Sequence, residues 1–517
     1  LRNLFTLQAF SKYSNMIKST LGKVFASYIA AQQNYWAARP LETQKAVFEK
    51  LIKQAKRTVF GTDHDFDAIR NYEDFKQAVP IRDYEGLKSY MDLVIEGWSN
   101  ILWTGKPLYF AKTSGTTSGL KYIPISQESI PYHINSARNA LLSYIAETGK
   151  ADFVDRKLIF LSGSPILESK HGIHTGRLSG IVNHHIPAYL RTNQLPCYAT
   201  NCIDDWETKL DAIIEETLQA DMSLISGIPP WVQMYFDKIQ ARTGKQIKDV
   251  FPNFSLFVYG GVNFQPYKAK LIESIGKTID SIETYPASEG FIAYQDTQTE
   301  QGLLLLLDNG MFYEFIPANE YFDEKPTRLS IKDVQIGVNY AIILNTNAGL
   351  WGYSIGDTVK FVSKKPYRII VTGRIKHFIS AFGEHIIAEE VEKAILATQQ
   401  TFPEAEIAEF TVAPQVTPTE GLPHHEWLIA FSKMPSNIEI FSKVLDQNMC
   451  ALNVYYKDLI EGKILKPLVI KPLQADSFIQ YMKTKGKLGG QNKVPHLSNT
   501  REMVEDILRI CEPINQK

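Results

Sequence analysis

Cysteine is scarce in this chain: four in 517 residues, at Cys197, Cys202, Cys450 and Cys511. That is too few for a disulfide framework, and the spacings lack the pairing of a structural zinc site. Reduced thiols in the cytoplasm are expected. Long apolar runs are also missing, since no stretch approaches the roughly 20 residues that span a bilayer. Neither sign of charge is in excess: 55 Lys and Arg stand against 56 Asp and Glu, a net of −1. No bulk field therefore points to nucleic acid or to an anionic membrane. Internal repeats and low-complexity tracts are absent too.

What is present is ordinary globular composition, 44% hydrophobic and 21% charged. Such a length predicts two to four domains and a core that needs no staple. The first thirty residues are basic and amphipathic, without the apolar segment of a secretory signal. A mitochondrial-type presequence fits that composition as an alternative. Met16 opens a better helix than Leu1, so residues 1–15 are expected to be an extension from an upstream start.

Residues 16–95 read as mostly helical. In "TQKAVFEKLIKQAKRTVFG", Ala46, Val47, Leu51, Ile52 and Ala55 form a helical stripe with Gly61 as its expected stop. From about 100 the pattern turns α/β. Short apolar strands at 157–163, 222–227, 255–261 and 281–290 end in Gly, Ser or Thr, with helical stretches such as 206–219 between several of them. That alternation predicts parallel sheets flanked by helices, with ligand-binding loops at the strand ends. Residues 302–371 are strand-rich, and "GLLLLLDNGMFYEFIP" reads as a hairpin around Asp308-Asn309-Gly310. The style changes again near Gly373. The predicted domains are 1–372 and 373–517, the second a smaller α/β unit.

The densest chemical signal is "KTSGTTSGLKYIP", Lys112 to Pro124. It holds two glycines, five Ser or Thr hydroxyls, two lysines and no acid. Glycines let backbone N–H groups converge, hydroxyls add donors, and such a nest suits phosphate oxygens. It is not the Walker loop: Gly115 and Gly119 are one residue too close, and Lys121 does not follow Gly119 directly. The alternative is a polar surface turn.

The string resembles the phosphate loop of adenylate-forming enzymes, and three further segments of that superfamily follow in order. "TYPASEG" (284–290) is similar to a Tyr-x-x-[ST]-Glu segment, "GYSIGD" (352–357) to a Tyr-x-x-Gly-Asp segment, and "TGRIKHFISAFGEHIIAEEVE" (372–392) to the hinge of a mobile C-terminal domain. Arg374, Ile379, Gly383 and Glu390 keep the hinge pattern, while Lys376 stands near its usual acidic residue. Each piece alone has a structural reading: core aromatics at 285 and 353, a turn at Asp357, a helix cap at Glu289. With the late "GGQNKVPHLSN" (489–499), the set resembles the auxin-responsive acyl acid–amido synthetase (Gretchen Hagen) family and its bacterial relatives.

That resemblance implies a large α/β N-terminal domain with a small barrel-like β region, a mobile C-terminal domain, and a two-step ligase using ATP and Mg²⁺. A carboxylic acid would be adenylated and the acyl group passed to an amine, typically of an amino acid. It implies that Ser114, Gly115, Thr116, Thr117 and Ser118 hold phosphates and that Tyr285, Ser288 and Tyr353 border the nucleotide. Glu289 would hold Mg²⁺, Asp357 the ribose hydroxyls, and Arg374 the nucleotide side of the hinge. Lys493 would neutralise charge on the α-phosphate; Lys487 in "KTKGKLGG" is its competitor. A cytoplasmic monomer is expected. An acyl-CoA ligase and a silent nucleotide-binding protein are the alternatives. His171, His174, His184 and His185 lack a carboxylate partner in a metal signature, so zinc is not expected there. Their segment follows the strand at 157–163 and is a candidate wall of a substrate pocket. Arg138 is a candidate partner for an acid, with a surface salt bridge as the plainer reading.

Overall fold

The computed structural model describes residues 2–114, 120–186, 191–261, 264–375, 378–379, 386–416, 418–461, 464–488, 493–498 and 500–514. Two compact units result. The first takes Leu1–Val262, Leu271–Ile355 and Val359–Ile370; the second takes Asn263–Lys270, Gly356–Thr358 and Val371–Lys517. Two short pieces from earlier in the chain thus belong with the C-terminal unit, and hydrogen bonds explain why. Ile375 N–H donates to Gly356 O at 2.7 Å, and the Tyr267 hydroxyl donates to Glu409 at 3.1 Å.

The first unit opens with helices Arg2–Ala37, Pro40–Ala55, Val59–Asp63, Tyr72–Ala78 and Lys88–Ile95. Pro40 sits in the first turn of its helix, where its missing N–H costs nothing. That helix buries Val47, Leu51, Ile52 and Ala55 of the expected stripe, but Ala46 is exposed and Phe48 is buried instead. Gly61 is not its stop. The helix ends at Ala55, and Gly61 lies inside the next one, Val59–Asp63. The reason is Thr58, which caps the new helix by accepting from Gly61 N–H at 3.0 Å. A Cβ at Gly61 would fall 2.2 Å from the Ala55 carbonyl oxygen, so the close turn demands glycine.

Strands β1 (Tyr109–Ser114), β2 (Leu120–Ile125), β4 (Glu168–Lys170) and β5 (Ile173–Gly176) make a sheet of order β2-β1-β5-β4. The main sheet adds β3 (Lys157–Phe160), β6 (Gln194–Leu195), β7 (Met222–Ser226), β8 (Leu256–Gly260), β9 (Asp280–Ala287), β10 (Gly290–Tyr294), β11 (Leu303–Leu305), β12 (Met311–Pro317), β13 (Asn339–Thr346), β14 (Tyr353–Lys364) and β15 (Tyr367–Arg374). Its order is β12-β13-β14-β15-β11-β10-β9-β8-β7-β3-β6. Strands β6, β3, β7, β8 and β9 pair in parallel, with helices Trp206–Thr217, Pro229–Thr243 and Gln265–Ile275 in the connections. This is the crossover pattern that parallel pairing requires. The strands of 302–371 continue that sheet. Within it the expected hairpin at 308–310 does not form: β11 pairs with β10 and β15, and β12 pairs with β13. Both flanks of Asp308-Asn309-Gly310 are apolar enough to join separate neighbours, so the turn changes direction without closing a ladder.

In the second unit β16 (Phe378–Ile379) pairs with β17 (Ile386–Ile387), and β18 (Glu406–Gln415), β19 (His424–Lys433) and β20 (Val469–Gln474) form a three-stranded sheet. Along β19, Trp427, Ile429 and Phe431 face one core with Val391, Ile395, Phe441 and Leu445 from helices Ala388–Thr401 and Ile438–Leu452. Leu428 and Ala430 face the other, with Phe478, Met482, Val504 and Ile507 from helices Ser477–Thr484 and Glu502–Ile510. Period-two alternation with both faces covered explains why residues 427–431 read as an unbroken apolar run. Each large side chain buried there contributes roughly 1.5–3 kcal/mol.

Candidate active site

In the first unit, β1 and β2 pair antiparallel with Ser114 opposite Leu120. Gly115, Thr116, Thr117 and Ser118 lie outside the described residues, as do Gly119 and the Ser114 side chain. What brackets them is described. The Lys112 ammonium meets Glu168 at 2.5 Å, and Lys121 stands 5.5 Å from the centre of the Tyr84 ring.

Strands β9 and β10 fold back on each other with Ala287 opposite Gly290, which leaves Ser288 and Glu289 as a two-residue tip. Both are half-buried. Tyr285, 7% exposed, faces inward two residues from the end of β9. The Thr284 hydroxyl donates to Tyr259 O at 2.9 Å, and a Cβ on Gly260 would sit 2.4 Å from Thr284 O. Strand β8 therefore approaches the "TYPASEG" segment closely because Gly260 has no side chain. Glu283 lies two positions before Tyr285, and burial raises its carboxyl to about 7, opposed by the Tyr259 hydroxyl. Tyr353 is packed in the core at 1% exposure. Gly352 before it has φ +55°, and a Cβ there would meet Pro80 O at 2.5 Å, so glycine is required at this entry to β14.

The second unit carries the other half of the predicted set. Arg374 Nε, at the end of β15, donates to Asp357 Oδ1 inside the neighbouring strand β14 at 2.9 Å. Asp357 is largely buried, with its side chain 14% exposed, whereas Arg374 is 51% exposed. The Thr372 hydroxyl donates to the Thr358 hydroxyl at 2.8 Å and ties the same two strands. Lys493 comes within electrostatic range of both Asp357 and Arg374. Solvent reaches its side chain, yet the protein around it lowers the ammonium below the usual lysine range. Desolvation is the main cause, with Asp357 opposing it and Arg374 reinforcing it. Asp357, Arg374 and Lys493 thus form a local constellation from residues 357, 374 and 493.

Of the hinge residues, Glu390 accepts from Ile387 N–H at 3.1 Å and from the Asn453 amide at 3.0 Å, fixing the start of helix Ala388–Thr401. Ile379 lies in β16, while Lys376 and Gly383 fall outside the described residues. Lys487 has its backbone N–H bonded to Met482 O at 2.8 Å, just beyond helix Ser477–Thr484. The histidines have ordinary partners: His184 Nε2 contacts Pro165 O at 2.7 Å and His185 Nε2 the Tyr109 hydroxyl at 2.9 Å. His171 and His174 are exposed. Arg138 donates to the side chain of Asn139 and covers the Phe25 ring at 5.1 Å.

Sequence reasoning passed over His496, inside the same "NKVPH" string as Lys493. Nδ1 meets Glu392 at 2.8 Å and Nε2 meets Glu409 at 3.1 Å. The signal was the histidine's place in the motif, but its carboxylate partners come from a distant helix and strand.

Three family descriptions match: the GH3 family N-terminal domain over residues 31–194, its central domain over 304–374 and its C-terminal domain over 389–502. Among curated relatives, the jasmonoyl–L-amino acid synthetase JAR4 of Nicotiana attenuata is 22% identical over 61% of this chain, a match taking in 66% of that protein, just under two thirds of its length. The indole-3-acetic acid-amido synthetase GH3.15 of Arabidopsis thaliana is 21% identical over 90% of this chain and 91% of its own. Among solved structures, the GH3.15 acyl acid amido synthetase superposes with a TM-score of 0.75 at 15% identity, over 91% of this chain and 94% of that one. A 2-hydroxyisobutyryl-CoA ligase in its postadenylation state reaches 0.58 at 12% identity, over 90% and 91%.

Proposed function

The chain belongs to the GH3 family of acyl acid–amido synthetases, adenylate-forming ligases, and from that premise we propose that it joins a carboxylic acid to an amino acid at the expense of ATP. The observation that carries the reading is the constellation of Asp357, Arg374 and Lys493 at three separate family-like motifs.

A carboxylate resists attack because its leaving group would be oxide. In the first step a carboxylate oxygen of the acid attacks the α-phosphorus, and the bond to pyrophosphate breaks. In the second, an unprotonated amine attacks the acyl carbon, the bond to the phosphate oxygen breaks, and AMP leaves as the amine sheds a proton. Charge develops on phosphate in the first step and must be met by preorganised donors. Ser114 to Ser118 are proposed as the cradle for the phosphates. Asp357, steadied by Arg374, accepts from the ribose hydroxyls. Tyr285 and Ser288 border the nucleotide, and core-packed Tyr353 holds the strand that leads to Asp357. Lys493, a compact charge on a long stem, faces the α-phosphate and the departing pyrophosphate. The Glu289 carboxylate at its tight hairpin tip is the hard oxygen donor that Mg²⁺ accepts, usually alongside substrate phosphates. Bound there, Mg²⁺ supplies charge neutralisation on those phosphates.

The acceptor is proposed to be an amino acid rather than coenzyme A, because "GGQNKVPH" resembles the amide-forming branch. Four free cysteines accord with a cytoplasmic setting, and we take the enzyme as a monomer. The test is acid-dependent pyrophosphate release across a set of carboxylic acids, followed by AMP release with amino acids or with coenzyme A. Lys493→Ala is expected to slow pyrophosphate release by about 30- to 1000-fold, the cost of about 2–4 kcal/mol typical of one such donor, with ATP binding retained. Pyrophosphate release that survives the substitution overturns the role of Lys493. Stimulation by coenzyme A alone overturns the acceptor.

A further inference from the structure

His496 is buried in the second unit, 9% exposed, with the Phe410 ring stacked at 4.2 Å. A neutral imidazole has one N–H and one acceptor nitrogen. Here each ring nitrogen faces a carboxylate: Glu392 from helix Ala388–Thr401 at 2.8 Å and Glu409 from β18 at 3.1 Å. Only an imidazolium can donate to both. The Tyr267 hydroxyl, from helix Gln265–Ile275, donates to Glu409 at 3.1 Å and lies 3.3 Å from Nε2. Glu409 also accepts from Phe410 N–H at 3.0 Å. Burial alone would lower the histidine, but the two carboxylates hold it up at about 10.

The backbone around His496 is fastened to the edge of β18. Val412 N–H donates to His496 O at 3.0 Å, Ser498 N–H to Val412 O at 2.9 Å, and the Thr411 hydroxyl to Pro495 O at 2.7 Å. Leu497 is buried opposite Val412. Pro495 restricts Val494 to extended backbone, so the three residues that precede His496, from Lys493 to Pro495, form a short stiff arm.

We propose that His496 is the positioning residue of Lys493, a cation pinned between Glu392 and Glu409 that locks residues 493–498 to β18 and so aims the lysine. The proposal rests on the reading of Lys493 as the phosphate-facing lysine. It gives a purpose to a buried charge whose desolvation is otherwise a cost.

The test uses the full chain and needs no known acid. Hydrogen exchange by mass spectrometry reads the amides of Val412 and Ser498, and competitive amine labelling across pH reads the titration of Lys493. In His496→Gln, exchange of those two amides is expected to rise at least about tenfold while the remainder of the unit is unchanged. The Lys493 titration is expected to move up toward the ordinary lysine range as the arm loosens. Unchanged local exchange with an unchanged titration overturns the proposal, as does a rise spread over the whole unit with Lys493 unmoved, which marks a merely structural histidine. If His496→Gln fails to fold, Glu409→Gln decides: the same local rise, smaller, supports the arm, and none overturns it. A separate arm tests the underlying reading. In the unaltered protein, ATP with Mg²⁺ should protect Lys493 from labelling; no protection removes the phosphate role while leaving the exchange result intact.

Discussion

A lysine destabilised in its charged form loses its proton nearer to neutrality than a fully hydrated one. Surroundings bring Lys493 down to about 8, desolvation first, with Asp357 holding it up and Arg374 pushing it down. The sign follows: the ammonium is charged below that value and neutral above it. Because the charged form is what meets phosphate, pyrophosphate release is expected to fall as pH rises through about 8. Arginine stays charged throughout this range. Lys493→Arg should therefore retain part of the activity and lose that alkaline limb. A pH–rate profile with the same limb in the variant would assign it to another group. Lys493 stands out in the sequence because it sits in a short motif with proline two residues on. Its neighbours appear in the sequence only as separate motifs: no spacing links residue 357 to 374 or 493, and the Arg374–Asp357 bond exists because β15 ends alongside the interior of β14. His496 was illegible for the same reason, since Glu392, Glu409 and Tyr267 reach it from three elements.

Elements set by local pattern were legible, and those set by partner choice were not. The stripe of helix Pro40–Ala55 and the strands at 157–160, 222–226 and 256–260 follow directly from periodicity. The turn at 308–310 departs from the expected hairpin because a hairpin is a statement about which strands pair, and apolar flanks do not say with whom. Strand β12 shows what anchors such a choice. Its Glu314 has a side chain at 0% exposure and accepts from Arg328 Nε at 2.8 Å, the Tyr72 hydroxyl at 3.0 Å and the Asn345 amide at 2.9 Å. Arg328 also donates to Lys76 O at 3.0 Å, tying the end of helix Tyr72–Ala78 to this strand. Removing the arginine leaves a buried carboxylate without its cation. Arg328→Met should cost about 3–5 kcal/mol, read as a lowered midpoint in urea. A midpoint within error of the parent would mean that the remaining two donors satisfy Glu314.

On the scale of the whole molecule, the candidate groups divide between the two units. Tyr285, Ser288, Glu289 and Tyr353 count with the first, and Asp357, Arg374 and Lys493 with the second. The chain passes from the first to the last part of the second at residues 370 and 371, two residues before Gly373. Gly373 has φ +139°, and a Cβ there would come within 3.0 Å of the Ala388 Cβ. An alanine at that φ is strained by about 1–3 kcal/mol. If the backbone at Gly373 changes between the two half-reactions, as the hinge resemblance implies, that strain falls on the backbone conformation described and not equally on the other. Gly373→Ala should then alter pyrophosphate release and amide formation by unequal factors, about 5- to 100-fold apart. The check is single-turnover kinetics, with pyrophosphate followed from ATP and acid, and amide followed from acyl-adenylate and amino acid. Equal slowing of both steps would mean that the crossing at Gly373 keeps one backbone conformation throughout the cycle.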